Sequence, residues 1–257
     1  MDQPLVSVLV ITYNSSKFIA ETLDSIGNQT YEKLELIVSD DCSDDDTRII
    51  IIDWLNNHAQ RFTNTVFIES SSNTGVSANK NRALSQVNGE WIKSIAGDDT
   101  LNTDCIKDFV SFVKANEKVR VVHSRVRVFR DNISEANYIY TAPTNMTRFY
   151  SSDVSAHEQY RILLRGNRIS APSIFISKEI YDIVGYYDEK MPYEDLPFSL
   201  RVTNSGFKFH FLDKCTVNYR VHSSSQYNHS DKLLFDEFFR KERLVYNHCI
   251  RRELSFS

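Results

Sequence analysis

Two adjacent carboxylates, Asp98 and Asp99, close the segment SIAGDDT (94–100), which follows an apolar run. Like charges at contact distance repel, and the pKa of one carboxyl should rise unless a cation lies between them. Carboxylate oxygens are also ligands that Mg²⁺ and Mn²⁺ prefer. The pair therefore indicates either a metal site or a solvated loop, which is the commoner case for two such residues taken alone.

A second acidic pair, Glu194 and Asp195, lies in PYEDLPFSL (192–200), where the pattern predicts a helix N-terminus. Acidic residues are stabilised at that end of a helix, so capping is the simpler interpretation. The alternative is a general base that takes a proton from an attacking hydroxyl group. His222, in NYRVHSSS (218–225), follows a predicted strand. Its imidazole is either a surface group or a ligand suited to Mn²⁺.

The elements that would position these residues alternate between strand and helix. Apolar runs rich in β-branched residues predict strands, and segments with helical spacing separate them. The predicted strands are 5–13, 34–40, 65–70 and 90–96, and the predicted helices are 15–29, 43–62 and 75–87. This alternation indicates βαβ units and a mostly parallel sheet, in which ligands bind beyond the carboxyl ends of the strands.

Polar residues follow all of these predicted strands, at positions that should open onto one edge of the sheet. This coincidence favours a ligand site over a set of solvated loops. The residues are Thr12, Tyr13 and Asn14, then Asp40 and Asp41, then Asn73, Thr74 and Gly75, and finally Asp98 and Asp99.

Composition and missing motifs exclude several classes of protein. The 257 residues carry a net charge of −4, so no basic field attracts nucleic acid. The glycines form neither GxGxxG nor GxxxxGK, which argues against a dinucleotide-binding dehydrogenase and a P-loop NTPase. The widely spaced cysteines argue against a zinc site or a disulfide framework. The first apolar run, 5–13, is too short to span a membrane, and we expect a cytoplasmic protein.

Six segments, in order, resemble the motifs of family 2 glycosyltransferases of GT-A fold. They are VSVLVITYN, LELIVSDDCSDDDT, NTGVSANKNRAL, GEWIKSIAGDD, YEDLPFSLRVTNSG and YRVHSSS, and they cover roughly residues 4–225. The resemblance implies an α/β fold of GT-A type, with a Rossmann-like, mostly parallel sheet flanked by helices. It also implies inverting transfer of a sugar from a nucleotide-diphosphate sugar, with Mn²⁺ or Mg²⁺ as cofactor.

The same resemblance assigns the donor nucleotide to the first half of the chain. Tyr13 would lie against the nucleobase, between Thr12 and Asn14. Asp41 would accept a hydrogen bond from the imide N–H of the base, which suits uracil and hence a UDP-hexose. Lys80 stands where the family usually has Arg, and its ammonium group can approach a phosphate but lacks the planar fork of a guanidinium.

The metal ligands follow from the resemblance in the same way. Asp99 would bind the metal directly, and Asp98 would hold the ribose or a metal-bound water. His222 would be a second protein ligand. Arg220, in the same stretch, would contact a phosphate or support the site.

The second acidic pair would serve the acceptor. Asp195 would be the base that deprotonates the acceptor hydroxyl, with Glu194 as its positioning or acceptor-binding neighbour. The metal would stabilise the leaving diphosphate, so the reaction requires no protein acid. We expect the acceptor to be a glycan or a polyprenyl-diphosphate-linked saccharide of a bacterial surface polysaccharide such as O-antigen.

We predict one GT-A domain over 1–225, with a nucleotide-sugar half at 1–100 and an acceptor half at 101–225. An amphipathic helical tail is predicted over 226–257; it would pack on the domain or on a second copy, or lie on the inner membrane surface. Two alternatives remain open. One is a catalytically inactive sugar-nucleotide-binding or scaffold protein. The other is a sugar nucleotidyltransferase, which would need a Gly-rich basic loop after the first strand.

Overall fold

A computed structural model describes residues 3–191 and 194–223. Strands and helices alternate through its first hundred residues, as the sequence predicts. The strands are β1 (Val6–Thr12), β2 (Leu34–Asp40), β3 (Asn64–Glu69), β4 (Trp91–Ala96), β5 (Thr100–Leu101), β6 (Val121–Arg130), β7 (Tyr138–Ala142), β8 (Phe175–Ser177) and β9 (Phe209–Val221). The helices are α1 (Ile19–Gly27), α2 (Thr47–His58), α3 (Val76–Leu84), α4 (Cys105–Ala115), α5 (Ala156–Leu163), α6 (Lys178–Val184) and α7 (Asp195–Asn204).

The strands in the described ranges form one mixed sheet in the order β3-β2-β1-β4-β8-β6-β9-β5, with β7 paired to β6. The pairs β3–β2, β2–β1, β1–β4 and β6–β9 are parallel, whereas β8 runs antiparallel to both β4 and β6. The strand order reverses between β1 and β4, because β2 and β3 extend the sheet to one side and β4 to the other. Ligands bind at such a switch point in open α/β sheets.

Helices cover both faces of the sheet and bury it on each side. Leu36 and Val38 of β2 pack in the cluster that includes α1, α2 and α4, while Ile37 packs in the cluster that includes α3, α5, α6 and α7. This alternation follows from the two-residue period of a strand. A strand buried on both faces reads as a continuous apolar run, which explains why the sequence pattern located β1, β2 and β4 closely.

The helices begin later than their predicted ranges. The predicted helix 43–62 begins at Thr47, because Asp45 accepts hydrogen bonds from the Thr47 N–H and hydroxyl and holds the preceding segment as a loop. The predicted tail, 226–257, lies outside the described residues. Within the part of the chain that the structure describes, no helix is both long enough and apolar enough to cross a membrane.

Candidate active site

The turn after β4 places Asp98 and Asp99 in different surroundings. Asp99 is buried, and its Oδ1 accepts a hydrogen bond of 2.8 Å from the backbone N–H of Arg220. Asp98 is partly exposed, and its Oδ2 lies 3.0 Å from Nε2 of His222. Burial and the neighbouring charge of Asp98 raise the pKa of Asp99 well above its usual value. The turn therefore presents one carboxylate beside an imidazole and uses the other carboxylate to hold β9.

Arg220 is almost completely buried, and contact between its side chain and a phosphate stays a prediction. Its guanidinium donates to the backbone carbonyls of Asp98 (2.7 Å) and Asp131 (2.6 Å) and to Oε2 of Glu21 (2.5 Å). It also lies 4.4 Å from the centre of the Phe18 ring. These contacts join α1, the turn after β4 and the loop after β6. The geometry therefore favours a structural role for Arg220, in which it holds the turn that carries Asp98 and Asp99.

The side chains of Asp98 and His222 are of the types that bind divalent cations. Asp98 and His222 offer an oxygen and a nitrogen, which suit Mn²⁺, and a carboxylate also suits Mg²⁺. Within residues 3–191 and 194–223, no group of three or more His, Cys, Asp and Glu side chains converges. Mg²⁺ commonly keeps several waters and takes further ligands from substrate phosphates, so a small set of protein ligands is sufficient. Direct binding by Asp99 stays a prediction.

The predicted donor-binding residues at the end of β1 and in the following loop differ in solvent exposure. Tyr13 is 47% exposed and Asn14 is also exposed, whereas Thr12 is buried. Asn14 has a positive φ of 50°, and its backbone N–H donates to Oγ of Ser43 at 2.8 Å. Gly97 must stay small, because a Cβ there would lie 2.7 Å from Oγ1 of Thr12. Close approach of the β4 turn to β1 thus explains the glycine that precedes the acidic pair.

Asp41 is buried and its carboxylate is already well supplied with donors. It accepts hydrogen bonds from the Thr74 N–H (2.9 Å), the Thr74 hydroxyl (2.6 Å) and the Gly75 N–H (2.7 Å). Nη2 of Arg82 lies 3.2 Å away. These bonds fix the loop that leads into α3. Contact between Asp41 and a uracil base stays a prediction.

The second acidic pair stands at the start of α7, where the sequence predicts a helix N-terminus. Lys80 is buried and donates from Nζ to Oε1 of Glu194 at 2.8 Å, so the structure places Lys80 beside this pair. Its Nζ also lies 5.1 Å from the centre of the Tyr187 ring. Burial disfavours the charge of Glu194, but attraction to Lys80 outweighs burial and lowers the pKa of Glu194.

The pKa of Asp195 changes in the opposite direction to that of Glu194. Burial and the negative charge of Glu194 raise the pKa of Asp195 to about 6. Its Oδ2 accepts a hydrogen bond of 2.6 Å from Nδ2 of Asn167, a residue that sequence reasoning did not identify. A carboxyl group with a pKa near neutrality is suited to general-base catalysis.

A small cavity lies between Asp195 and β4. It has a volume of about 10 Å³, close to the minimum that holds one water. Lys80, Asp195, Tyr187 and Ala171 contribute to its lining, together with Ser94 of β4. Asp195 thus shares this cavity with β4, the strand that Asp98 and Asp99 follow in the chain.

Lys93, the residue before Ser94, is completely buried. Its Nζ donates to the backbone carbonyls of Pro172 and Ile174. Burial lowers the pKa of Lys93 to about 8. This side chain fastens the 171–174 segment to β4 beneath the cavity.

Comparison with known proteins identifies the family. Residues 7–169 match the model of glycosyl transferase family 2, which is more than half of the chain. The chain belongs to the family 2 glycosyltransferases. It is therefore a glycosyltransferase, and the predicted α/β fold of GT-A type is confirmed.

Two of the relatives are named for sugar-transfer activities. The chain is 30% identical over 178 residues to the poly(ribitol-phosphate) beta-N-acetylglucosaminyltransferase TarS of Staphylococcus aureus, covering 67% of this chain and 30% of TarS. It is 25% identical to the UDP-Glc:alpha-D-GlcNAc-diphosphoundecaprenol beta-1,3-glucosyltransferase WfaP of Escherichia coli, covering 86% of this chain and 79% of WfaP.

Solved structures show the same fold. TarS 1-349 of S. aureus in complex with UDP-GlcNAc matches with a TM-score of 0.66 at 22% identity, over 86% of this chain and 60% of that chain. The mannosyltransferase PcManGT of Pyrobaculum calidifontis, in complex with GDP-Man and Mn²⁺, matches with a TM-score of 0.63 at 19% identity, over 88% and 59%. The chain thus spans less than two thirds of these two structures, and the likeness concerns the fold alone.

Proposed function

We propose that this glycosyltransferase moves a hexose, with inversion, from a UDP-sugar to a glycan or a lipid-linked saccharide, with the help of a divalent metal. One observation carries the proposal. The acidic pair that follows β4 offers a partly exposed carboxylate beside an imidazole, and the pair at the start of α7 offers a carboxyl group whose pKa is about 6 and which shares a cavity with Ser94 of β4. Inverting transfer needs one metal site for the leaving group and one base for the acceptor.

Asp195 is the base in this proposal. It takes the proton of the acceptor hydroxyl while that oxygen forms a bond to the anomeric carbon, and the bond from that carbon to the diphosphate oxygen breaks on the opposite face. Glu194 keeps its negative charge because Lys80 pairs with it, so the proton goes to Asp195. Asn167 orients the Asp195 carboxylate through its hydrogen bond.

Asp98 and His222 hold the metal in this proposal. A bound divalent cation supplies positive charge that stabilises the departing diphosphate. The partly exposed Asp98 carboxylate is better placed for this role than Asp99, whose carboxylate bonds to the backbone of β9. We propose Mn²⁺ or Mg²⁺, and the Mn²⁺ in the PcManGT complex supports a metal in this fold.

The choice of UDP rests on relatives. WfaP is named for UDP-Glc, and TarS was solved with UDP-GlcNAc, whereas PcManGT was solved with GDP-Man. The exposed Tyr13 ring is available to a base. The acceptor named for WfaP, a diphosphoundecaprenol-linked sugar, supports a lipid-linked acceptor and a peripheral position at the inner membrane surface.

Calorimetric titration of UDP and of GDP, each with Mn²⁺ and with EDTA, tests this function. We expect UDP to bind in the presence of Mn²⁺ and to lose most of its affinity in EDTA. Tight binding of GDP instead would contradict the assignment of UDP as the donor nucleotide. It would remain consistent with a glycosyltransferase. Binding that is equal in Mn²⁺ and EDTA would contradict the metal site. Release of UDP from a UDP-sugar, measured with the same protein, would exclude an inactive scaffold.

A further inference from the structure

The outer face of α5 and the segment that follows it carry three exposed arginines. Arg161 lies on α5, and Arg165 follows it by four residues, in a turn where its N–H donates to the backbone carbonyl of Ile162. Arg168 lies three residues further along the chain. Among the described residues, no carboxylate lies within ion-pair distance of these three guanidinium groups. We refer to these three residues as the α5 arginines.

Several other surface arginines have acidic partners. Arg48, Arg120 and Arg127 each bind the carboxylate of a glutamate. Opposite charges at contact distance largely cancel at longer range, so these arginines attract an anionic partner only weakly. The α5 arginines keep their full charge, which is available to a partner outside the chain.

The surroundings of α5 do not compensate that charge. Segment 148–168 contains four arginines and two acidic residues, in a chain whose net charge is −4. The two acidic residues, Asp153 and Glu158, both bind Arg148, at 2.7 and 3.3 Å. The residue one turn before the first of the α5 arginines is His157, which is exposed and carries no negative charge. This part of the surface is therefore locally basic.

Packing and one hydrogen bond connect this basic surface to the candidate base. Tyr160 and Leu163 of α5 are buried in the cluster that also includes side chains of α7, the helix that begins at Asp195. Asn167 lies between the second and third of the α5 arginines in the chain. Its Nδ2 donates to Oδ2 of Asp195 at 2.6 Å, and its Oδ1 accepts a hydrogen bond of 3.0 Å from the backbone N–H of Ile169. The α5 arginines thus flank the residue that contacts the base.

We infer that the α5 arginines dock the protein on an anionic lipid membrane. This inference rests on the lipid-linked acceptor of the proposed function. Arg161 and Arg165 are separated by about 6 Å along the chain axis of a helix and lie on its outer face. Such a row matches an extended anionic surface better than one compact anion. Docking through these residues brings Asn167 and Asp195 toward the surface at which a lipid-linked acceptor is held.

Sedimentation of the 257-residue chain with lipid vesicles tests this docking surface. The anionic vesicles contain phosphatidylcholine and phosphatidylglycerol in equal parts, and vesicles of phosphatidylcholine alone are the neutral comparison. We expect the parent to bind the anionic vesicles and to lose that binding at high salt, which screens exposed charges. Each basic residue near an anionic surface contributes about fivefold to the affinity. The triple variant Arg161→Gln/Arg165→Gln/Arg168→Gln should therefore bind at least about tenfold more weakly.

A second triple variant, Arg48→Gln/Arg120→Gln/Arg127→Gln, is the matched control. It removes the same net charge from other parts of the surface and should bind the vesicles within about threefold of the parent. A parent that does not bind anionic vesicles, or an equal loss in both triple variants, would overturn the inference. Full binding by the α5 variant would also overturn it, and would leave the predicted tail, 226–257, as the alternative membrane contact.

The affinity for UDP with Mn²⁺, measured on the same proteins, separates this inference from the proposed function. We expect it to be the same in the parent and in both triple variants, because the α5 arginines serve docking and not the donor. UDP binding without vesicle binding in the parent would contradict only the docking surface. Absence of UDP binding in the parent would contradict the proposed function, whatever the vesicles show. A loss of UDP affinity in the α5 variant alone would overturn the inference, since these arginines would then serve the donor.

Discussion

Asp98–Asp99 after β4 and Glu194–Asp195 at the start of α7 are both adjacent carboxylates, but the fold compensates their charges differently. In the first pair, the buried Asp99 accepts a hydrogen bond from the backbone, and the partly exposed Asp98 contacts an imidazole. In the second pair, a buried lysine pairs with one member. The first arrangement places a carboxylate beside an imidazole, the pair that we propose as metal ligands. The second separates the two pKa values and leaves one carboxyl group ready to exchange a proton near neutral pH.

The comparison shows that the sequence of two adjacent acidic residues does not by itself determine the charge state and contacts of each carboxyl group. The nearest cation and the nearest backbone donors decide them, and these come from distant parts of the chain: Lys80 in α3, and Arg220 and His222 at the end of β9. Each partner can be removed separately, so the difference between the pairs can be tested.

The largest effect should come from Asp195→Asn. An amide cannot take the acceptor proton, so kcat should fall by roughly 10²–10⁴. UDP affinity in Mn²⁺ should stay near that of the parent. The measurement is steady-state transfer together with calorimetry, and Asp53→Asn, at an exposed carboxylate of α2, is the control. Equal loss of UDP binding in Asp195→Asn would contradict its assignment as the base.

The next effect concerns the first pair. Asp98→Ala and His222→Ala should each weaken Mn²⁺-dependent UDP binding by at least about tenfold, because each removes a ligand to a metal whose affinity responds strongly even to outer contacts. Asp99→Asn keeps a hydrogen-bond acceptor for Arg220 and should weaken this binding less.

The ranking of these three variants distinguishes two assignments. If Asp99→Asn loses Mn²⁺-dependent binding while Asp98→Ala retains it, and thermal unfolding of both is normal, Asp99 is the direct ligand. That outcome would restore the assignment made from the sequence motif and contradict the one made from the geometry.

A smaller effect is expected from Lys80→Met, which removes the cation from the second pair. Lys80 favours the charged forms of Glu194 and Asp195, so without it their pKa values should rise. Because a base is active only above its pKa, the acidic limb of the kcat–pH profile should move to higher pH. Lys80→Arg keeps a positive charge and should return the limb toward its original position. A limb that does not move in Lys80→Met would show that Lys80 does not control this pair.

Sequence patterns predicted most of the first hundred residues because strands buried on both faces and the helices between them have strong periodic signals. β2 was placed at its observed bounds, Leu34–Asp40. β7 was missed, although the run YIYTA (138–142) contains aromatic and β-branched residues typical of a strand. That strand lies off the main path of the sheet, in a segment with no strand–helix alternation to indicate it.

The sequence selected candidate site residues but gave no indication of several of their contacts. Motif resemblance selected the residues of both acidic pairs, His222 and Lys80, and in the structure His222 contacts Asp98 while Lys80 contacts Glu194. Their roles stay predictions. The resemblance gave no indication that Lys80 pairs with Glu194, that Arg220 is buried, or that Asn167 contacts Asp195. Each of these contacts joins segments far apart in the chain, so no local spacing encodes it.

The buried guanidinium of Arg220 also has a consequence for the order in which the protein is made. Its hydrogen bonds go to Glu21, Asp98 and Asp131. These residues lie in segments that leave the ribosome well before β9 does. A growing chain can form β1 to β4 and still lack both the side chain that locks the β4 turn and the imidazole of His222. The proposed metal site would therefore be completed late in synthesis, and we expect that nascent chains do not bind donor sugar.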